Sequence, residues 1–192
     1  MPSLPQAIHE YFHYNLRMDR RTVILVDQEN HAIGTEEIVA AHSGDGQLHR
    51  AFSVYVFRNF GKEILIQKRS SKKMLWPGIW ANSCCSHPME GEAPEDAGKR
   101  RLMEELGFSC DLKPVCSFVY RANDGERGVE HEHVTVLLGL VDETVKPVPN
   151  PDEVAEIEWM PINVLKKEMR LDPQKFAPWF HLGMNAIRES LP

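Results

Sequence analysis

Glu130 and Glu132 stand two positions apart in the run Glu130-His131-Glu132-His133, and His42, His49 and His87 lie upstream of them. Residues two apart on a strand project from one face, so the two carboxylates share a side that His131 and His133 leave. Val134 and Val136 continue that side as an apolar surface. Carboxylates this close repel unless a cation or a shared proton neutralises them. Imidazoles and carboxylates together form a mixed nitrogen–oxygen donor set that suits Mn²⁺, Fe²⁺ or Zn²⁺ better than Mg²⁺. Each residue alone has a plainer reading, as a solvated loop histidine or an exposed strand glutamate; only the set points to a metal. Cys85, in Asn82-Ser83-Cys84-Cys85-Ser86-His87-Pro88, adds a thiol beside one of these histidines. A thiol and a metal-anchored carboxylate make an acid–base pair, which implies an enzyme that moves a proton.

A second group lies on 92–108, where Glu92, Arg100, Leu102, Glu104, Glu105, Gly107 and Phe108 follow one another. Glutamates spaced along one helical turn can hold Mg²⁺, which in turn bridges phosphate oxygens. The alternative is a charged amphipathic helix with i, i+4 pairs, Arg100–Glu104 and Arg101–Glu105. A third group is cationic: Arg69, Lys72, Lys73, Arg100 and Arg101. Arginine forks match phosphate oxygens and lysine adds a point charge, although such residues usually form a solvated face.

The elements that must position these groups read as follows. Leu4, Ile8, Phe12 and Leu16 recur at near-helical spacing and predict a short helix over 4–19. A β-branched strand is expected at 22–26, and 32–40 reads as extended. The run 42–49 is a loop by composition. Strands at 51–57 and 63–68 flank Asn59-Phe60-Gly61-Lys62, a hairpin turn. A polar loop over 70–80 ends in Trp76-Pro77-Gly78-Ile79-Trp80. The helix 94–106 has Pro94 in its first turn, Glu95 and Asp96 at the positive end of its dipole and Gly107 to stop it. Strands follow at 116–121, 129–141 and 154–160, with a rigid proline-rich connection at 147–151. Helices are expected at 162–170 and 174–190. Strands interleaved with helices predict an α/β (mixed α+β) layered domain.

The chain has 192 residues and a formal net charge of −6. That length suits one domain with a real core, and the acidic excess argues against a general nucleic-acid binder. No run reaches the roughly 18 apolar residues of a membrane span, and none resembles a secretory signal. Cys84, Cys85, Cys110 and Cys116 match no CxxC spacing and are expected as thiols of a cytoplasmic protein. Cys84 reads as a structural thiol.

Taken together, these residues resemble type I isopentenyl diphosphate isomerase, a family with the Nudix fold. The stretches that carry the likeness are 41–52, 76–78, 82–88, the box at 92–108, Tyr120-Arg121-Ala122, Glu130-His131-Glu132 and Pro178-Trp179. The box departs from the Nudix signature at Ser86, where its first Gly belongs, and at Arg101, where an acidic residue belongs. The likeness implies a Nudix-type layered sandwich, a mixed sheet covered by helices. It implies an N-terminal helical extension over 1–20, one catalytic domain over 21–192 and a hydrolase-like core at about 49–182. His42, His49, His87, Glu130 and Glu132 would hold one divalent metal (Mn, Zn or Mg). Glu105 would help hold a Mg²⁺ that arrives with the substrate diphosphate. Arg69, Lys73 and Arg101 would contact the diphosphate. Cys85 and Glu132, the latter assisted by Tyr120, would face each other across a five-carbon chain, with Trp179 over the carbon that becomes cationic. No flavin is implied. The expected partner is a small isoprenoid diphosphate, with no nucleic acid and no membrane, on a monomer or weak dimer. The family commonly carries a lysine four residues before the first metal histidine; here that residue is Ile38. A Nudix hydrolase, a non-catalytic diphosphate sensor and a purely structural metal site are the competing readings.

Overall fold

A computed structural model describes residues 22–189, so the helix expected over 4–19 lies outside the described residues. Among the described residues one sheet of nine strands is organised around a central strand, β3 (His49–Arg58). β8 (Val129–Leu140) runs parallel to β3 on one edge and carries antiparallel β7 (Leu112–Asn123) beyond it. The other edge of β3 is shared in succession by β1 (Thr22–Val26), β6 (Cys84–Ser86) and β4 (Glu63–Arg69). β2 (Ala32–Glu37) pairs with β1, and β5 (Trp80–Ala81) and β9 (Val154–Pro161) pair with β4.

β3 is buried on both faces, so its alternate residues enter two cores. Ala51, Tyr55 and Phe57 pack with Val134, Val136, Phe180 and Trp179. Phe52, Val54 and Val56 pack with Ala97, Leu102 and Leu106. The first core lies under α3 (Ile162–Leu171) and α4 (Pro178–Ala186), the second under α2 (Pro94–Leu106). This is the mixed α+β layered sandwich that the sequence predicts.

α2 has the expected limits. Pro94 opens it and Gly107, at φ 70°, closes it with a bond from its N–H to the Met103 carbonyl. The hairpin after β3 is formed by Asn59, Phe60 and Gly61, all at positive φ. Three expectations change. The extended run over 32–40 stops at Glu37, and α1 (Ile38–Ala41) is one helical turn. Its apolar, partly β-branched residues read as strand, but the turn brings Ile38 and Ala41 onto one side against Val23. The helix expected over 174–190 is shorter, because Pro178 holds Ala177 extended (ψ 144°) and starts α4 itself. β7 begins four residues early, passing Pro114 through a bulge. The strand has β8 on one side and tolerates proline there.

Candidate active site

The five residues that could hold a metal converge from four segments. α1 ends at His42, β3 begins at His49, β6 runs into His87, and β8 supplies Glu130 and Glu132. One ligand atom from each of the five lies within 4.8 Å of the others. Parallel pairing sets Glu132 beside His49. Gly128 makes the start of β8 possible: at φ 141° its Cα approaches the His42 carbonyl, and a Cβ there would be 2.7 Å from that oxygen.

The tautomers are fixed from behind. Nδ1 of His42 lies 2.6 Å from the Ile38 carbonyl and Nδ1 of His49 2.8 Å from the Gln47 carbonyl. Each Nδ1 donates there, so deprotonation of Nε2 on binding a cation would turn a lone pair inward, while without one Nε2 of His42 donates to Glu130. Nε2 of His42 is 2.9 Å from Glu130, and Nε2 of His49 is 3.1 Å from Nε2 of His87. A lone pair facing another ring nitrogen and two carboxylates is a donor set that fits a divalent cation. Burial, then the neighbouring His42, pulls His49 down to about 4, so its Nε2 is free of a proton at neutral pH. Burial and the charge of Glu130 push the Glu132 carboxyl up. Burial also acts on Glu130, but the hydrogen bond and charge of His42 override it and hold Glu130 low.

A cavity of about 510 Å³ opens beside this cluster and is lined by Cys85, Tyr120, Glu132 and Trp179, together with Arg69, Lys73 and Arg101. Cys85 pairs with Ser53 on one edge of β3, while β8 brings Glu132 along the other. Burial pushes the Cys85 thiol up to about 12, against the pull of Arg69. Cys84, its neighbour, points into the opposite core and is fully buried, as its structural reading requires.

The residues expected to contact a diphosphate are engaged with the protein itself. Arg69 donates to the carbonyls of Leu75 and Trp76 and approaches the sulfur of Cys85 at 3.8 Å. Those bonds steady Trp76 at φ 46°, while Asp124 accepts from its N–H at 2.7 Å. The indole edge of Trp76 is thereby set against Trp179, 5.4 Å between centroids. Lys73 and Arg101 both bind Glu153, at 2.6 and 3.0 Å.

Glu105 departs from expectation. It is 1 % exposed and absent from the cavity wall; its oxygens take Arg101 at 2.5 Å and Gln67 at 3.3 Å. Arg101 sits where the Nudix signature has an acid, and as a tethered cation it gathers Glu104, Glu105 and Glu153. Lys72 lies off the wall, paired with Asp152 at the surface. Arg100 reaches the wall but is held by Glu92 at 2.8 Å. Glu153, Asp124 and Asn82 were not singled out from sequence, since a lone acid or amide in a loop carries no periodic signal.

The fold is that of a Nudix-class protein, and a NUDIX domain model matches residues 47–180. A crystal structure of DR0079 from Deinococcus radiodurans superposes with a TM-score of 0.62 at 19% identity, covering 79% of this chain and 90% of that one. The MutT protein of Methanosarcina mazei gives 0.59 at 14% identity, covering 74% and 95%. Curated relatives are nearer in sequence. The isopentenyl-diphosphate Delta-isomerase of Halorhodospira halophila is 41% identical over 82% of this chain and 90% of its own length. That of Nocardia farcinica is 42% identical over 88% and 97%. The chain belongs to the isopentenyl-diphosphate Delta-isomerase family of Nudix proteins.

No helix of the described residues is long and apolar enough to cross a membrane.

Proposed function

We propose that the chain interconverts isopentenyl and dimethylallyl diphosphate, in isoprenoid biosynthesis, within the cavity between Cys85 and Glu132. The observation that carries this reading is that a thiol and a carboxylate of the His/Glu cluster, from strands on opposite edges of β3, line one partly apolar space that Arg69, Lys73 and Arg101 also line. A Nudix hydrolase has no use for that pairing.

One group gives a proton to the terminal carbon of the alkene, and the tertiary carbon becomes cationic. The other removes a proton from the carbon next to the diphosphate-bearing one, and the double bond moves. Each group serves as acid in one direction and base in the other. Trp179 faces the cation with its ring and keeps water from it. Tyr120, 2.7 Å from Glu132, orients the carboxylate. A divalent ion held by His42, His49, His87, Glu130 and Glu132 would fix that carboxylate and lower its proton affinity. Manganese or zinc suits this donor set best.

Arg69, Lys73 and Arg101 receive the diphosphate. A Mg²⁺ arriving with the substrate would compete with Arg101 for Glu105, freeing the guanidinium for phosphate oxygens. The protein's free cysteines accord with a cytoplasmic enzyme. The test is isopentenyl diphosphate with Mg²⁺ in D₂O, followed by NMR. Dimethylallyl diphosphate with deuterium at the exchanged carbons is expected. Release of phosphate instead would favour a hydrolase, and binding without exchange a sensor.

A further inference from the structure

Two side chains lie in the gap where β3 and β4 separate, between the catalytic strand β6 and the rest of the sheet. β3 and β4 pair through Phe57–Ile64 and Arg58–Glu63, and then diverge. The ladder is replaced there by side chains. Ser83 accepts from the N–H of Val56 at 2.8 Å and donates to the Leu65 carbonyl at 2.7 Å. Asn82 donates from Nδ2 to the carbonyls of Val54, 3.1 Å, and Cys84, 2.7 Å. Its Oδ1 accepts from the indole Nε1 of Trp179 at 3.0 Å. Asn82 is fully buried and Trp179 is 2 % exposed.

The amide has one possible orientation. An indole N–H can only donate and peptide carbonyls can only accept, so Oδ1 must face the ring and Nδ2 the strands. Three bonds use both hydrogens of the amide and one oxygen, with no slack for rotation. The amide therefore ties the ring of Trp179, on α4, to the backbone immediately before Cys85, on β6.

We propose that Asn82 is a positioning residue that fixes the Trp179 ring relative to the Cys85 thiol, and so sets the width of the cavity in which the cation forms. The proposal rests on the isomerase reading for its kinetic consequence, but not for the tie itself. A displacement of about 1 Å at such a site is enough to cost about a hundredfold in rate. Asn82 is absent from the cavity wall and from the His/Glu cluster, so its loss is expected to act on the chemical step and to leave diphosphate binding alone.

The first experiment needs no substrate. In a ¹H–¹⁵N spectrum the Trp179 indole resonance is identified by its loss in Trp179→Phe. In Asn82→Ala it is expected to move upfield and to exchange with solvent at least tenfold faster. Asn82→Ser is the second variant if Asn82→Ala does not fold. An indole resonance unmoved in whichever variant folds overturns the tie. The second experiment is kinetic. Asn82→Ala is expected to lose tenfold or more in kcat with KM changed less than about twofold, and to cost less than about threefold in a Trp179→Phe background. Equal losses in both backgrounds, or a loss confined to KM, overturn the positioning role. An inactive wild type with the indole shift intact would sink the isomerase reading and leave the tie standing.

Discussion

The phenol of Tyr120 donates to Oε2 of Glu132 across 2.7 Å. The other oxygen of that carboxylate lies 3.2 Å from Nε2 of His87. One carboxylate thus joins two groups, the candidate metal-holding histidines through Oε1 and Tyr120 of the cavity wall through Oε2. Tyr120 reaches it because β7 and β8 pair Tyr120 directly with Glu132. Charge placed near Oε1 can therefore tune the proton affinity of Oε2.

From this division of labour, Cys85→Ala and Glu132→Gln are expected to abolish nearly all turnover. Trp179→Phe should cost far less. An indole facing a desolvated cation contributes about 2 kcal/mol, or about thirtyfold in rate. Deuterium incorporation from D₂O measures all three. Cys85→Ala with the activity of wild type would remove the proposed acid–base pair.

Metal removal should affect stability as well as activity. The cluster buries carboxylates and imidazoles whose ligand atoms lie within 4.8 Å of one another. An ion that binds the folded state alone stabilises it by mass action. Dialysis against a strong chelator is expected to lower the thermal midpoint and stop exchange. Manganese or zinc should restore both, and Mg²⁺ alone should restore neither. A midpoint indifferent to chelation would argue against a bound ion.

Ile38 lies on the cavity wall, 9 % exposed, four residues before His42. His42 bonds to its backbone carbonyl, so the side chain can change without disturbing that ligand. Ile38→Lys is expected to lower KM for the diphosphate several-fold, by about 1 kcal/mol of added charge attraction, with kcat little changed. Steady-state kinetics at low ionic strength would reveal the split; an unchanged KM would mean the diphosphate sits elsewhere.

Glu153 gives the protein an acid-sensitive joint. Burial opposes its charge, but Lys73 and Arg101 override that and hold its carboxyl at about 2, below the ordinary 4.5. A depressed carboxyl contributes stability that is complete above about pH 4.5 and lost as pH falls toward 2. The contribution is at most about 3 kcal/mol. Glu153→Gln should therefore flatten the pH dependence of urea stability between those values. An unaltered slope would show that the ion pairs contribute nothing.

Packing beneath Trp179 is equally constrained. Gly183 lies one helical turn beyond it in α4, and a Cβ there would fall 1.7 Å from the Tyr55 hydroxyl. Gly183→Ala is expected to cost about 3 kcal/mol. The Tyr55 hydroxyl is buried with no partner among the described residues. Tyr55→Phe should accordingly stabilise by about 1 kcal/mol and recover part of the Gly183→Ala loss. Thermal melts of the single and double variants check this.

The identities of the chemistry-bearing residues were legible in the chain itself. Glu130 and Glu132 share a face because strand side chains alternate, and Pro94 and Gly107 bound their helix because of fixed backbone preferences. These are local rules that need no partner. The convergence of His42, His49 and His87 on those glutamates depends on parallel pairing of β3 with β8, contacts made across some 80 residues of sequence. Local pattern could not foresee that Arg101 would occupy the carboxylates of Glu104, Glu105 and Glu153, nor that Asn82 would bond to a tryptophan 97 residues away. A buried charge or amide takes whichever partner packing brings within about 3 Å, and only the assembled tertiary structure decides which partner that is.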